Sequence, residues 1–465
     1  MVIQYLLSLI SVYVLVAAAG VVHVLLYKRD SRSAFGWLGL IVLFPIAGAV
    51  LYALFGINRV RRKAQRVSLR IEPEGGRRVG DLPAFDGASM SRVGYAMDHG
   101  ELKAGNTVQT LFNGEQAFPA MLEAIDGARH EVLLSSYIFD NDETGRRFTR
   151  ALAAARDRGV AVRVLVDDAG IRYSFPTILR ELRRLGLAHR RFMRFRLLPP
   201  SFSINLRTHR KILAVDREVA FAGGMNVGDR QLVEGPSPHR ASDLHFRFAG
   251  PVVRDLAALF EEDWCFSGGE LLPEIDAAPP RQGRALCRLI ADGPDETLDS
   301  MMLVYMGVIS TARRRVWVMT PYFLPERQFM GVLQAAALSG VDVRVMIPEK
   351  NNWPVVQWAL QHTLSELLDT GVRILRRPPP FAHSKCMIVD DDYVMVGSSN
   401  LDPRSLRLNF ELGVEVFDGE LNAELAEHFR TVARECTPFT HADLAARGTA
   451  ARLRDATAAL FGPYL

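Results

Sequence analysis

Apolar and polar positions along the chain fall into distinct regimes. Residues 3–27 form an unbroken apolar run with no charged residue apart from the titratable His23. After "KRDSR" a second apolar run covers residues 35–57, "FGWLGLIVLFPIAGAVLYALFGI". About 20 apolar residues in a helix cross the roughly 30 Å hydrocarbon core of a bilayer. The pattern therefore predicts a transmembrane helical hairpin at 1–57, with spans at about 3–27 and 35–57. Pro45 kinks the second span without forbidding it. A cleaved signal peptide fits less well: "VAAAG" imitates a cleavage site, yet no Lys or Arg precedes the run and a second span follows at once. A buried core hairpin would show helical periodicity, and neither run does. Lys28, Arg29 and Arg32 lie in the short loop, and Arg59, Arg61, Arg62, Lys63 and Arg66 follow the second run. The positive-inside rule then puts the bulk of the chain in the cytoplasm. The juxtamembrane arginines would meet anionic headgroups.

Beyond a polar linker at 58–105 the periodicity changes. "EVLLSSYIF" (131–139) reads as a strand, "RRFTRALAAARDRG" as a helix and "VAVRVLVDD" (160–168) as a buried strand. The order recurs with "RVWVMTPYF" (315–323), a helix around Gln328 to Leu338 and "VDVRVMIPE" (341–349). Strands alternating with helices predict an α/β architecture. Two copies, 106–266 and 284–465, are joined by the Gly- and Pro-rich connector 267–283. The reading is two duplicated α/β halves with pseudo-two-fold symmetry, their matching motifs meeting at one shared site.

Composition narrows the class. In 465 residues, 49% hydrophobic and 23% charged positions describe a folded chain with sizeable cores. A net charge of +4 does not call for nucleic acid. Four cysteines, Cys265, Cys287, Cys386 and Cys436, with no CxxC spacing, point away from a disulfide framework or a structural zinc site and toward a reducing compartment. Only six of 56 basic residues are Lys, and two of those six, Lys211 and Lys385, sit in the repeated stretches considered next. A compact ammonium at those places is a chemical choice and not a generic charge.

"THRKILAVDREVAFAGGMN" begins at Thr208 and "AHSKCMIVDDDYVMVGSSN" at Ala382, 174 residues later. Each has His, Lys at +2, Asp at +7, small residues at +14 and +15 and Asn at +17. His and Lys at spacing two share one face of an extended strand. Small residues in the following turn let Asn226 and Asn400 come back beside them. One His-x-Lys-x4-Asp match arises by chance in roughly one such chain per hundred; two with matching Asn do not. Two imidazoles, two ammonium groups and two carboxamides suit a phosphodiester. Lysines neutralise the phosphoryl oxygens. One neutral His attacks phosphorus, and the other protonates the departing oxygen and then deprotonates the incoming hydroxyl. Two displacements retain configuration at phosphorus. A metal site fits poorly, because Lys between the candidate ligands repels a cation.

The candidate catalytic set is therefore His209, Lys211, Asp216, His383, Lys385 and Asp390, with Asn226 and Asn400 for phosphate. Asp216 and Asp390 end apolar runs and are read as holding loops without touching substrate. A carboxylate on the far nitrogen of a catalytic His fixes its tautomer; Glu411 is the candidate, with Asn409, Glu415, Asp243 and His245 nearby in sequence. Tyr137 and Tyr322 end matching strands and face either the cleft or the core. "RELRRLGLAHRRFMRFRLLPP" (180–200) carries seven arginines with Phe192 and Phe195, reading either as an anionic-surface contact or as a solvated helix and edge strand.

"HRKILAVD…GGMN" and "HSKCMIVD…GSSN" resemble the two HxKxxxxD motifs of the phospholipase D superfamily. With "FPIAGAVLYALFG", "SSYIFDND", "TPYFLPE" and "GGMNVGD", the chain is similar to bacterial cardiolipin synthases over nearly its whole length. In "HRASDLHFRFAGP" it lacks a Trp that the family pattern leads one to expect. The resemblance implies two phospholipase D-like halves in a bacterial inner-membrane, multi-pass protein. It implies transfer of a phosphatidyl group from one phosphatidylglycerol to another, giving cardiolipin and glycerol. His209 would form the phosphohistidine and His383 would serve as acid and base, or the reverse. Lys211, Lys385, Asn226 and Asn400 would bind phosphate, with phosphatidylglycerol and anionic membrane lipids as partners and no metal, nucleotide or nucleic acid. A phospholipase using water and a phosphatidylserine synthase need the same residues, since acceptor choice lies in how the pocket excludes water. A nuclease is disfavoured by the hairpin and the near-neutral charge. A non-enzymatic membrane scaffold is disfavoured by intact His and Lys in both copies.

Overall fold

The computed structural model describes residues 2–28, 31–56, 88–98, 100–194, 206–273, 280–293 and 300–462. The arginine-rich run 59–66, most of the 58–105 linker and the basic-aromatic stretch from Phe195 onward lie outside them. The chain divides into two compact units, Met1–Lys63 with Arg196–Ile204, and Ala64–Phe195 with Asn205–Leu465.

The first unit is helical, with α1 at Val2–Tyr27, α2 at Ser31–Leu43 and α3 at Pro45–Leu51. The second apolar run is thus not one helix. Pro45 has no N–H for the preceding turn and instead opens α3. The chain then folds back closely: a Cβ on Gly48 would lie 2.5 Å from the Leu40 carbonyl oxygen. Val24, Ile41 and Tyr52 are buried, with Trp37 and Leu38 packed on them, and His23 Nδ1 lies 2.9 Å from the Tyr52 hydroxyl. Leu15, Leu25, Leu26, Phe35 and Leu43 are all exposed. Among the described residues no helix is long and apolar enough to cross a membrane.

The second unit is α/β and duplicated. Its strands are β1 Lys103–Phe112, β2 Glu131–Ser136, β3 Ala161–Asp167, β4 Ala188–Phe192, β5 Ile212–Val215, β6 Val219–Gly223, β7 Ala241–Ser242 and β8 Leu244–Ala249. The second set is β9 Ala285–Asp292, β10 Arg315–Met319, β11 Asp342–Pro348, β12 Arg373–Arg377, β13 Phe381–Ala382, β14 Cys386–Val389, β15 Tyr393–Gly397, β16 Glu411–Phe417 and β17 Thr437–Phe439. One sheet runs β17-β12-β11-β10-β14-β15-β16-β9-β1-β8-β6-β5-β2-β3-β4. Read outward from the antiparallel β1–β9 pair, both sides repeat one order: β8-β6-β5-β2-β3-β4 and β16-β15-β14-β10-β11-β12. In each half three parallel strands adjoin an antiparallel hairpin, β5–β6 or β14–β15. The helices Glu143–Asp157 and Arg327–Leu338 are the crossovers that parallel neighbours require. Each half has its own apolar core, one around Phe118, Phe148 and Phe221, the other around Tyr305, Phe329 and Tyr393. The four cysteines are free.

The two hairpins explain one part of the repeated sequence. Asp216 and Arg217 take φ of 52° and 54°, and Asp390 takes 47°. Asp tolerates this left-handed region better than most residues. Turned back, each carboxylate accepts three backbone N–H groups: Arg129, His130 and Glu131 on Asp216, and Arg313, Arg314 and Arg315 on Asp390. Each Asp thereby clamps its hairpin to the start of β2 or β10.

Candidate active site

His209 and Lys211 lead into β5, and His383 and Lys385 lead into β14. Both pairs are brought to the centre by short parallel bridges between the halves. Phe410 pairs with Thr208, and β13 pairs with β7. His209 N–H donates to the Phe410 carbonyl and His383 N–H to the Ser242 carbonyl, each at 2.8 Å. The residue after each acceptor is acidic: Glu411 after Phe410, Asp243 after Ser242. Each acid serves the histidine of the other half. His209 Nδ1 lies 3.1 Å from both Glu411 carboxylate oxygens and 3.0 Å from the Ser398 carbonyl. His383 Nδ1 lies 2.6 Å from Asp243 Oδ2. An anion at Nδ1 leaves Nε2 as the nitrogen placed to meet a ligand.

The lysines stand symmetrically. Lys211 Nζ donates to the His209 carbonyl and Lys385 Nζ to the His383 carbonyl, both at 2.5 Å. Lys385 Nζ is also 3.1 Å from both ring nitrogens of His383. All four groups are buried or nearly so. Burial, with the neighbouring ammonium, lowers Lys211 to about 7; burial lowers Lys385 to about 8. Burial first, then Lys385, drives His383 down to about 4, against the pull of Asp243. Burial lowers His209 as well, against Glu411. Burial alone would raise Glu411, but His209, Lys211 and the Ser398 hydroxyl together hold it below the usual value. Desolvated cations held close together describe a cradle for an anion, whose arrival would offset both burial and mutual repulsion.

Asn226 and Asn400 lie in the loops behind the motifs. Asn226 Oδ1 accepts the Ile138 N–H at 2.9 Å, fixing the loop after β2. Asn400 Nδ2 donates to Ser405 Oγ at 3.0 Å, and among the described residues its Oδ1 has no hydrogen-bond partner. Asp216 and Asp390 are not brought to the histidines. Each ends its strand opposite the Lys, roughly 16 Å away at about 3.3 Å per residue. The Tyr137 ring packs 5.2 Å from that of His209, with Lys211 Nζ 5.6 Å from the Tyr137 centroid. Tyr322 reaches the other side through Phe381, at 6.2 Å and then 6.0 Å to His383. Glu415 is spent elsewhere, on buried Arg288 at 2.7 Å. His245 is buried beneath Asp243, and burial lowers it to about 4.

Three supporting roles were not read from sequence, where Ser398 and Gly224 figure only as the small residues at +15. Ser398 Oγ donates to Glu411 Oε2 at 2.5 Å. Its counterpart is Gly224, where a Cβ would meet the Asp243 carboxylate at 2.5 Å. Asp167 ends β3 and accepts the Thr208 N–H at 3.1 Å, fixing the backbone just before His209; burial raises it to about 6. Arg210, 1% exposed, binds Glu411 O, Asp263 and Asp292 O and so locks the halves together. The Asp243–Glu411 equivalence has a sequence signal: an acid opens the strand that follows each motif, in "SDLHFRF" and "NFELGVEVF".

A family model described as "Cardiolipin synthase, PLD-like domain" matches residues 121–264 and 305–433. A second, "Phospholipase_D-nuclease N-terminal", matches residues 15–56. The cardiolipin synthase of Geobacillus thermodenitrificans is 31% identical over 454 residues, covering 95% of this chain and 90% of that one. The major cardiolipin synthase of Bacillus subtilis is 30% identical, covering 94% and 95%. Cardiolipin synthase A of Pseudomonas aeruginosa is 34% identical, covering 91% and 89%. Among solved structures, phosphatidylserine synthase of Haemophilus influenzae superposes with a TM-score of 0.63 at 12% identity, covering 81% of this chain and all of that one, which is a likeness of fold.

Proposed function

This chain belongs to the phospholipase D-like cardiolipin synthases, and from that membership we propose how its site makes cardiolipin and glycerol from two phosphatidylglycerol molecules. The observation that carries the reading is the crossed pairing of His209 with Glu411 and His383 with Asp243 around two buried lysines. The phosphodiester of the first lipid lies between Lys211 and Lys385. Its negative charge offsets the burial that lowers both lysines and His383, and the neighbouring ammonium that adds to it at Lys211 and His383. Neutral His209 attacks phosphorus through Nε2. The P–O bond to the headgroup glycerol breaks, and His383, protonated and held by Asp243, gives its Nε2 proton to the leaving oxygen. A phosphatidyl-histidine and free glycerol result. A hydroxyl of the second phosphatidylglycerol then attacks phosphorus, His383 takes its proton, the P–N bond breaks, and cardiolipin leaves with His209 restored. The donor and acceptor being lipids, the enzyme is membrane-associated. We read residues 3–27 and 35–57 as its multi-pass anchor, with the catalytic halves cytoplasmic; the apolar sequence and the exposed Leu15, Leu25, Leu26 and Phe35 support this.

The test is incubation of detergent-solubilised protein with phosphatidylglycerol alone, with His209→Ala and His383→Ala beside it. The expected products are cardiolipin and glycerol, lost in both variants. Phosphatidic acid without cardiolipin would make the protein a hydrolase and overturn the reading.

A further inference from the structure

The loops after β3 and β11 occupy equivalent positions in the two halves, at the strand ends where ligands approach an α/β sheet. Each ends in a large aromatic side chain turned outward. Phe175 is 97% exposed and Trp353 is 56% exposed, in a unit where other large aromatics are mostly buried. Each stands three residues after an exposed cation, Arg172 or Lys350. Arg172 also meets Asp168 at 3.0 Å, with its side chain still 62% exposed.

Both loops connect to the catalytic centre. In the first, Tyr173, itself half exposed, lies 6.4 Å from the Tyr137 ring, which packs on His209. In the second, Asn352 accepts the Tyr322 hydroxyl at 2.7 Å, and Tyr322 leads through Phe381 to His383. Each aromatic tip thus belongs to a loop linked to one of the two histidines, one loop from each half. Exposed apolar area of this kind costs free energy in water and is released in the headgroup zone, where Trp and Phe settle beside Arg and Lys facing anionic lipid.

We propose that Phe175 and Trp353, with Arg172 and Lys350, dock the catalytic body on an anionic bilayer surface so that a lipid headgroup rises directly between His209 and His383. This rests on the lipid-substrate reading above. The buried site gives it a reason: headgroups must leave the bilayer plane to reach the histidines, and two tips on loops linked to those histidines hold the site against that plane.

The test uses the full chain reconstituted in phosphatidylglycerol-containing vesicles carrying brominated acyl chains. Bromine quenches tryptophan at the depth of insertion. Wild-type quenching is expected to exceed that of Trp353→Phe, the other four tryptophans being common to both. Equal quenching in the two proteins would overturn the proposal. In a second arm, Phe175→Ala with Trp353→Ala is expected to raise the apparent KM for vesicle phosphatidylglycerol about tenfold, a loss of about 1.4 kcal/mol of surface binding, while turnover of short-chain phosphatidylglycerol below its critical micelle concentration stays at the wild-type rate. Equal losses on both substrates would also overturn it. If the wild type made nothing from phosphatidylglycerol, the lipid-transfer reading would fail, while the quenching arm would still report on docking.

Discussion

Replacing Asp243 with Asn tests the division of labour between the two histidines. Asp243 Oδ2 stands 2.6 Å from His383 Nδ1, and Asp243 is 2% exposed. Asn keeps the shape and removes the charge that stabilises the imidazolium. At about 4 Å between charge centres and an effective dielectric near 20, that attraction is about 4 kcal/mol. Lys385, 3.1 Å from the same ring, gains weight once the carboxylate is gone. A loss of about 3–4 kcal/mol from the transition state slows turnover by roughly 10²–10³-fold. The assay is release of glycerol from phosphatidylglycerol, set beside the pre-steady-state burst from phosphatidyl-p-nitrophenol. Nitrophenolate leaves without a proton, so an acid is dispensable in the first step. The expected result is a deficit that shrinks to within about tenfold in the nitrophenol burst. A Glu411→Gln variant, whose defect lies with His209, should lose the burst on both substrates. An equal loss for Asp243→Asn on both substrates would refute His383 as the acid and favour the exchanged roles.

Two further outcomes follow from the buried charges. Burial lowers Lys211 to about 7 and Lys385 to about 8; a lysine lowered in this way is charged below its pKa and loses that charge as pH rises. The kcat/KM for phosphatidylglycerol should therefore fall as pH climbs through 7 to 8 in a pH–rate profile, well below the ordinary lysine range. Glu415→Gln leaves Arg288, 1% exposed at its side chain, opposite a neutral partner; denaturant titration should show a loss of about 3 kcal/mol, with activity per folded molecule retained because neither residue touches the histidines.

Much of this was legible because it is local and repeated. His, Lys, Asp and Asn at fixed offsets mark a strand, a tight hairpin and a returning loop, and the duplication marks two equivalent halves. The segments "VAVRVLVDD" and "VDVRVMIPE" became β3 and β11, parallel to β2 and β10. What was not legible is non-local. Nothing in the spacing of Glu411 to either motif says that it serves the histidine of the other half, because that follows from the Thr208–Phe410 and β7–β13 bridges. Asp243 and His245 stand two residues apart, and in sequence only the match of Asp243 to Glu411 at the head of the following strand separates them. The second apolar run read as a single kinked helix, yet Pro45 ends one helix and starts another. Hydropathy has no access to that choice, because it depends on whether the chain folds back against Leu40.

The crossed pairs also make the duplication obligatory. An isolated half would hold a His and a Lys but aim its acid at a histidine it does not possess. In an isolated half His209 Nδ1 would lose both its partners, Glu411 and the Ser398 carbonyl, which come from the other half, leaving no anion to orient the ring. Symmetry is nevertheless broken where the chemistry needs it. Glu411 is held by three side chains, His209, Ser398 and Asn409. Asp243 is held by His383 and by the Leu244 N–H at 2.8 Å, with Gly224 leaving no side chain beside it. A carboxylate pinned by three partners fixes one ring rigidly, which suits a nucleophile that must keep its line to phosphorus through two displacements. A carboxylate with one short bond and few restraints favours a ring whose proton comes and goes. That asymmetry supports His209 as the nucleophile and His383 as the proton carrier, a distinction the repeated sequence does not make.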